Sequence, residues 1–279
     1  MKHSFLAQSL FLTTSLLTTS SYLHAAFDPI DDAELGVISG QSGITIESEL
    51  YATIGSFEYI DEGSISVNDI VIGGANKQTY FGKDWGESSH SGTKLDGSLV
   101  TIDVLADGDL VIAGSVNPAL GGGIIDFGIS TGSVQLLSTD RLTSATLIDS
   151  ISITGVISKF RTKIDAASMH ILTEVEFGID DLDIDISGLN LKVENAFIAS
   201  STYFESLEDW GSQGLALQDI TAKVSLDIHA DDQGLHINTN SFEFDMGIGS
   251  VSIADASIGS FRLDDVNLTQ SSMIISGHP

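Results

Sequence analysis

Three acidic residues at every second position, Asp181, Asp183 and Asp185, alternate with Leu182, Ile184 and Ile186. On a β-strand this spacing lines the carboxylates along one face, about 6.6 Å apart. The three alone are too far apart to chelate one ion tightly, but each could share Ca²⁺ with a neighbouring strand or a carbonyl. No EF-hand loop or nonapeptide calcium repeat accompanies them, and an acidic face that deters edge-to-edge pairing is the commoner meaning. A second donor set is His229 and His236, which flank one hairpin tip, with Asp227 beside them. Two imidazoles and a carboxylate can ligate a transition metal, although exposed strand histidines are far more common. His90, His170 and His278 have no ligand-like spacing.

Gly128-Ile129-Ser130-Thr131-Gly132 has the form of a hydrolase nucleophile elbow, a motif that needs a strand–turn–helix setting. Here it runs into Ser133-Val134-Gln135-Leu136-Leu137, which predicts another strand. A Gly-rich turn is therefore expected, no catalytic residue is assigned, and no enzyme is expected. Trp85 and Trp210 each follow Asp and precede Gly. Exposed, they could grip a sugar or a protein partner through a flat apolar face. The expectation is that each plugs the end of a sheet core.

Alternating runs predict the elements that carry these residues. Ile65–Ile72, Leu99–Val104, Leu182–Val193 and Ala222–Ile228 alternate cleanly, so each predicts a strand with one buried face. Asp107-Gly108-Asp109 and Asp231-Asp232-Gln233-Gly234 mark hairpin tips at Ala106–Leu110 and Ala230–Leu235. Thr162–Glu174 fits helix or strand equally well. A weak duplication runs through the chain. Tyr80-Phe81 and Asp84-Trp85-Gly86 resemble Tyr203-Phe204 and Asp209-Trp210-Gly211. Val100–Asp107 resembles Val224–Asp231. Asp126-Phe127-Gly128-Ile129 with Gly132-Ser133-Val134 resembles Asp245-Met246-Gly247-Ile248 with Gly249-Ser250-Val251.

The expected fold is all-β and mostly antiparallel: an elongated sandwich or a curved open sheet built from two weakly similar halves, residues 44–165 and 166–279. Before them, residues 1–26 have the charged, apolar and small-residue order of a secretory signal. Residues 27–43 predict a short helix and a Gly-rich turn, with Asp28 as cap and Pro29 in the first turn. Past the signal no apolar run approaches the length of a membrane helix. The net charge of −28 argues against nucleic acid and anionic lipid as partners. With no cysteine, an exported chain must hold together by burial and strand pairing alone.

Gly40-Gln41-x-Gly43, Ile54-Gly55-Ser56-Phe57-x-Tyr59 and Ser64–Ile70, with the echo Ile258-Gly259-Ser260-Phe261 and a closing apolar strand, carry a family resemblance. The chain resembles a group of exported bacterial proteins, some of them named as pilus-system (Fil-type) proteins. The likeness covers residues 28–74 and 248–278; Pro279 after the final His departs from it. The resemblance implies a cell-surface or outer-membrane-associated location and supplies no catalytic residues. The expected function is a non-enzymatic structural or accessory protein of such an assembly, with other assembly proteins or its own copies as partners. The alternative is a periplasmic or outer-membrane-associated module that carries a hydrophobic, lipid-like ligand.

Overall fold

Strand-forming sequence dominates the chain, and the computed structural model, which describes residues 43–86, 93–117 and 124–277, is built almost wholly of strands. The signal at 1–26, the helix at Asp28–Gly40, His90 and His278 lie outside the described residues. In order, the strands are β1 (Ile44–Leu50), β2 (Ala52–Ile60), β3 (Ser64–Gly73), β4 (Thr79–Tyr80), β5 (Lys83–Asp84), β6 (Leu95–Val104), β7 (Leu110–Val116) and β8 (Ile125–Thr131). They continue as β9 (Val134–Leu137), β10 (Ser144–Ile148), β11 (Ser150–Ile164), β12 (Ile171–Ile186), β13 (Leu191–Ala199), β14 (Ala222–Ala230), β15 (Leu235–Ile253), β16 (Ala256–Leu268) and β17 (Ser271–Ile275). Two short helices, α1 (Tyr203–Trp210) and α2 (Leu217–Ile220), fall between β13 and β14. Both predicted hairpin tips join their strands, and Thr162–Glu174 is the end of β11, a turn and the start of β12.

All but β4 and β5 belong to one 15-stranded, antiparallel sheet, in keeping with the expected all-β, mostly antiparallel fold. The sheet has two tiers because three long strands each serve both. In β11, residues 159–164 pair with β7 and residues 151–157 with β8. In β12, the first part pairs with β14 and the second with β13. In β15, the first part pairs with β14 and β17, and the second with β13 and much of β16. The upper tier therefore runs β1-β6-β7-β11-β12-β14-β15-β17, and the lower runs β2-β3-β8-β11-β12-β13-β15-β16. Register shifts at Ile157/Lys159, Ile179/Leu182 and Phe244/Met246 sit where the tiers part. An extra residue on one strand bends it locally, which is what a division of one sheet requires.

The order of pairing repeats. β12 takes the place of β1 and β2, β13 that of β3, β14 that of β6, β15 that of β7 and β8, and β16 with β17 that of β11. The two halves meet at the β11–β12 junction inside a single compact unit, Gly43–Pro279.

Between β3 and β6, and again between β13 and β14, the chain crosses from lower to upper tier and drops a Tyr-Phe pair into the sheet. Tyr80, Phe81, Tyr203 and Phe204 are buried in one cluster with Ile124, Val156, Ala199, Leu215 and Ile220. Phe81 meets Tyr203 edge-on at 5.5 Å, and Phe197 meets Tyr203 at 5.2 Å and Phe204 at 5.8 Å. Edge-to-face contact at these separations adds about 0.5–1.5 kcal/mol per pair beyond burial. The core thus joins both halves and belongs to neither.

Aromatic rings also lie flat over glycines on the neighbouring strand. Phe160 faces Gly114, Phe127 faces Gly155 and Phe197 faces Gly247. A Cβ on Gly114 or Gly247 would lie 2.1 Å or 2.2 Å from an atom of the opposing ring, and one on Gly155 would lie 2.2 Å from the Gly178 carbonyl oxygen and 2.8 Å from Phe127. Phe197 is wedged among Phe81, Tyr203 and Phe204 and cannot give way. Gly247→Ala is therefore expected to destabilise the chain by about 1–3 kcal/mol, the cost of overpacking a fixed site, as read by urea denaturation. Gly55→Ala, whose Cβ would enter open space, is expected to leave the midpoint unchanged.

Candidate functional site

The residues singled out in the sequence fall in three places. Asp181, Asp183 and Asp185 share one face of β12, opposite Thr154, Ser152 and Ser150 of β11. Each has its own surroundings. Asp183 accepts the backbone N–H of Asn195 at 2.8 Å, and Asp185 pairs with Lys192 at 2.8 Å. Burial, with the Asp183 charge second, pushes the Asp181 carboxyl above the ordinary range, and its buried Oδ1 has no hydrogen-bond partner. Among the described residues these three do not form a group able to share one ion.

His229 and His236 do face each other across the β14–β15 pair. Their rings stack at 4.7 Å and 4°, and His170, which spacing alone did not recommend, stacks on the other side of His229 at 4.2 Å and 7°. His170 precedes β12, so pairing of β12 with β14 brings it alongside; only topology could reveal this. His170 Nδ1 lies 2.9 Å from Asp227 Oδ1, and His236 Nε2 lies 2.9 Å from Asp231. Ligand atoms of His170, Asp227 and His229 all lie within 4.8 Å of one another. Imidazole lone pairs lie in the ring plane, however, and parallel rings aim them side by side, whereas a tetrahedral ion needs them to converge. The arrangement is suited to a stacked, carboxylate-anchored ladder.

Trp85 is half-buried against the core, donates its indole N–H to the Tyr80 carbonyl at 3.2 Å and lies under the Lys83 ammonium at 4.3 Å. Trp210, at the end of α1, is 75% exposed. The expected equivalence of the two therefore holds for the plug at Trp85 and fails at Trp210. α1 replaces the β4–β5 hairpin of the first half and swings the second indole outward. Ser130 lies within β8, paired with Ser152 and Val71, and no helix follows it, so the elbow geometry is not formed.

Two residues missed as sites are Asp126 and Asp245, both wholly buried. Asp126 Oδ2 accepts the N–H groups of Ala75 at 2.8 Å and Asn76 at 3.2 Å and the hydroxyl of Tyr80 at 2.9 Å. Asp245 accepts the N–H groups of Phe204 at 3.0 Å and Asp265 at 2.9 Å. The repeated Asp-x-Gly was their signal.

The most unusual surface is the outer rim of the sheet. Among the described residues, β1 and β2 at one end, and β16 and β17 at the other, have strand partners on one side only. Ile44, Ile46, Ile54, Phe57 and Tyr59 at the first end are exposed, as are Ile258, Phe261, Leu263, Met273 and Ile275 at the second. None of the four strands contains Lys or Pro, two residues that often protect an edge, although β1, β2 and β16 carry other charged residues and register shifts interrupt the pairing of β1 and β16. The two Ile-Gly-Ser-Phe segments lie at opposite ends of the lower tier, in β2 and β16.

The model of DUF6160, a family of unknown function, matches residues 4–106. That is little more than a third of the chain, and its described part runs from β1 to just past β6. No curated protein and no solved structure matches. No helix among the described residues is long and apolar enough to cross a membrane.

Burial raises Asp181, so the folded chain keeps this proton to a higher pH than the unfolded chain does. The associated stability is present at low pH and is lost as pH rises through the raised value. Urea midpoints of the parent and Asp181→Asn are expected to agree most closely in acid, with the parent falling behind as pH climbs. Zinc is expected to leave the melting temperature of the parent unchanged; a rise that disappears in His170→Ala would refute the ladder reading.

Proposed function

We propose that this protein is an exported, non-enzymatic structural or accessory component of a cell-surface, pilus-type assembly. The observation that supports it is the pair of apolar, one-sided edges at the two ends of a single sheet. An unpaired edge offers a row of N–H and C=O groups, so a partner strand can add to it by β-augmentation, with its side chains gripped at alternate positions. Exposed apolar side chains along those strands would be covered in the same step. The resemblance of residues 28–74 and 248–278 to exported proteins, some of them of pilus systems, agrees with this reading, as does the signal-like start.

A carrier of a lipid-like ligand would need a continuous apolar groove. The interior where such a groove would lie is filled by Tyr80, Phe81, Tyr203 and Phe204, and the exposed apolar residues follow the rim instead.

Protease added to intact cells is expected to cut the protein, and shearing is expected to release it with surface material. Phe57→Lys is expected to lower its amount in the sheared fraction by about tenfold, a loss of roughly 1.4 kcal/mol of association, without moving the melting temperature. Protein confined to the soluble periplasm, or lipid co-purifying in stoichiometric amount, would overturn the proposal.

A further inference from the structure

We propose that the occupant of the β16–β17 edge is the β1–β2 edge of a second copy of this chain, so that copies join head to tail by extending the sheet. The inference rests on the assembly reading above and names its partner. Its template is inside the molecule. β16 and β17 hold the position in the second half that β11 holds in the first, and β1 with β2 hold the position of β12. The β11–β12 junction, which joins the halves, is therefore the junction that two copies would make.

The repeat also supplies a register to test, counted along the strands from two pairs of matched residues. Val67 pairs with Val134 and Val193 with Val251, and these valines end the matching Gly-Ser-Val segments. Phe57 is opposite Val67 as Ile184 is opposite Val193, so counting back along the strands sets Gly55-Ser56-Phe57 against Leu182-Asp183-Ile184, across the register shift between Leu182 and Ile184. At the other end, Phe261 is opposite Ile248 as Ile153 is opposite Ile129, so counting along β16 from Phe261 sets Gly259-Ser260-Phe261 against Ile151-Ser152-Ile153, across the register shift between Ile248 and Val251. Inside the chain Ile153 faces Leu182, Ser152 faces Asp183 and Ile151 faces Ile184. Carried to two copies, this register sets Phe261 over Gly55, Ser260 beside Ser56 and Phe57 over Gly259.

This is the register given by counting along β12 and β16 across the shifts that each carries. It reproduces twice the Phe-over-Gly contact that the sheet already uses at Gly114, Gly155 and Gly247. An aromatic ring covering a cross-strand glycine restores the packing that glycine lacks. In the single chain these two seats are empty, since a Cβ on Gly55 or Gly259 would meet nothing within 4 Å. The two rings are equally without a seat, Phe57 being 56% and Phe261 51% exposed. Because the joined edges differ, the contact is heterologous, and repeating it gives an open filament unless the rotation happens to close a ring.

The chain has no cysteine, so introduced thiols report this contact cleanly. Full-length chains carrying Ser56→Cys or Ser260→Cys are mixed and oxidised. A disulfide-linked dimer is expected in the mixture at least about tenfold above either variant alone, and the double variant is expected to form a ladder of oligomers. Sedimentation of the parent is expected to show mass growing with concentration. Gly55→Ala, which leaves the free chain unstrained but fills the seat of Phe261, is expected to weaken that growth by about tenfold. Dimers of Ser56→Cys alone or Ser260→Cys alone that match the mixture would overturn the proposal in favour of symmetric pairing. A parent that stays monomeric, with no cross-link in the mixture, would overturn it outright. If that monomer were still cut by external protease in cells, the surface-assembly reading would stand with a different partner. Head-to-tail cross-linking of a protein confined to the periplasm would have the opposite meaning.

Discussion

The division of this sheet into tiers depends on two carboxylates that are wholly buried. A long strand can serve two tiers only if something fills the space where they part, and here a crossing segment of each half does so. Asp126 and Asp245 hold those segments by taking backbone N–H groups from them. An ionised carboxylate can stay buried when such donors surround it, whereas an unpaired one is costly. Asp126 also takes the Tyr80 hydroxyl; burial and then the Asp126 charge keep that phenol protonated far above its usual range. At Asp245 burial outweighs its two N–H donors and raises the carboxyl. A third carboxylate, Asp180, binds the Phe81 N–H at 2.5 Å and Lys77 at 2.7 Å, fixing the first crossing segment from the β12 side. The aromatic core is thus positioned by polar contacts at its margin.

This explains which parts of the fold were legible in the sequence. Alternation exposed the strands, and the repeats of Tyr-Phe and Asp-x-Gly exposed the duplication, because side chains that meet fixed backbone cannot drift. The tiers were not legible. They follow from register shifts in β11, β12 and β15, and a shift leaves no more trace than one residue out of phase. His170 was missed for the same reason: its neighbours His229 and Asp227 are close only through the β12–β14 pairing. Trp210 was misjudged because its motif matches Trp85 while its local structure, a helix in place of a hairpin, does not. Asp181, Asp183 and Asp185 were correctly placed on one strand face, but which partner each would find depended on Asn195 and Lys192 across the sheet.

The Gly-Phe pairs show how a duplicated sheet can tell inside from outside. Within the chain each such glycine is covered, and its Cβ-less surface is the reason the ring can lie close. At the rim the same residues recur with nothing over them. Edges meant to stop carry lysine, proline, other charges or a bulge, and of these the rim has charges and register shifts but neither lysine nor proline. Gly259 does have a left-handed backbone, with φ of 114°, so β16 carries a local irregularity at the very residue left uncovered. Its conformation suits a glycine and would strain any other residue, which keeps that seat open to a ring from outside.

Charge sets the remaining condition. At −28 the molecule repels its own copies, and that repulsion acts over distances comparable to the screening length, about 10 Å at 0.1 M salt. Part of the rim's charge is paired, although Glu47 of β1 and Asp265 of β16 take no part in the ion pairs. Glu58, the charged residue of β2, is held by Arg141 at 2.8 Å, Glu49 of β1 by Lys94 at 2.5 Å, and Arg262 of β16 pairs with Asp264 at 2.7 Å. Ionic pairs so exposed add little stability, but they remove net charge from the surfaces that would touch. Attraction between edges is then short-ranged and apolar, while repulsion between bodies is long-ranged and weakened by salt. A chain that joins by its edges, as proposed, would stay dispersed when dilute at low ionic strength and associate as salt or local concentration rises.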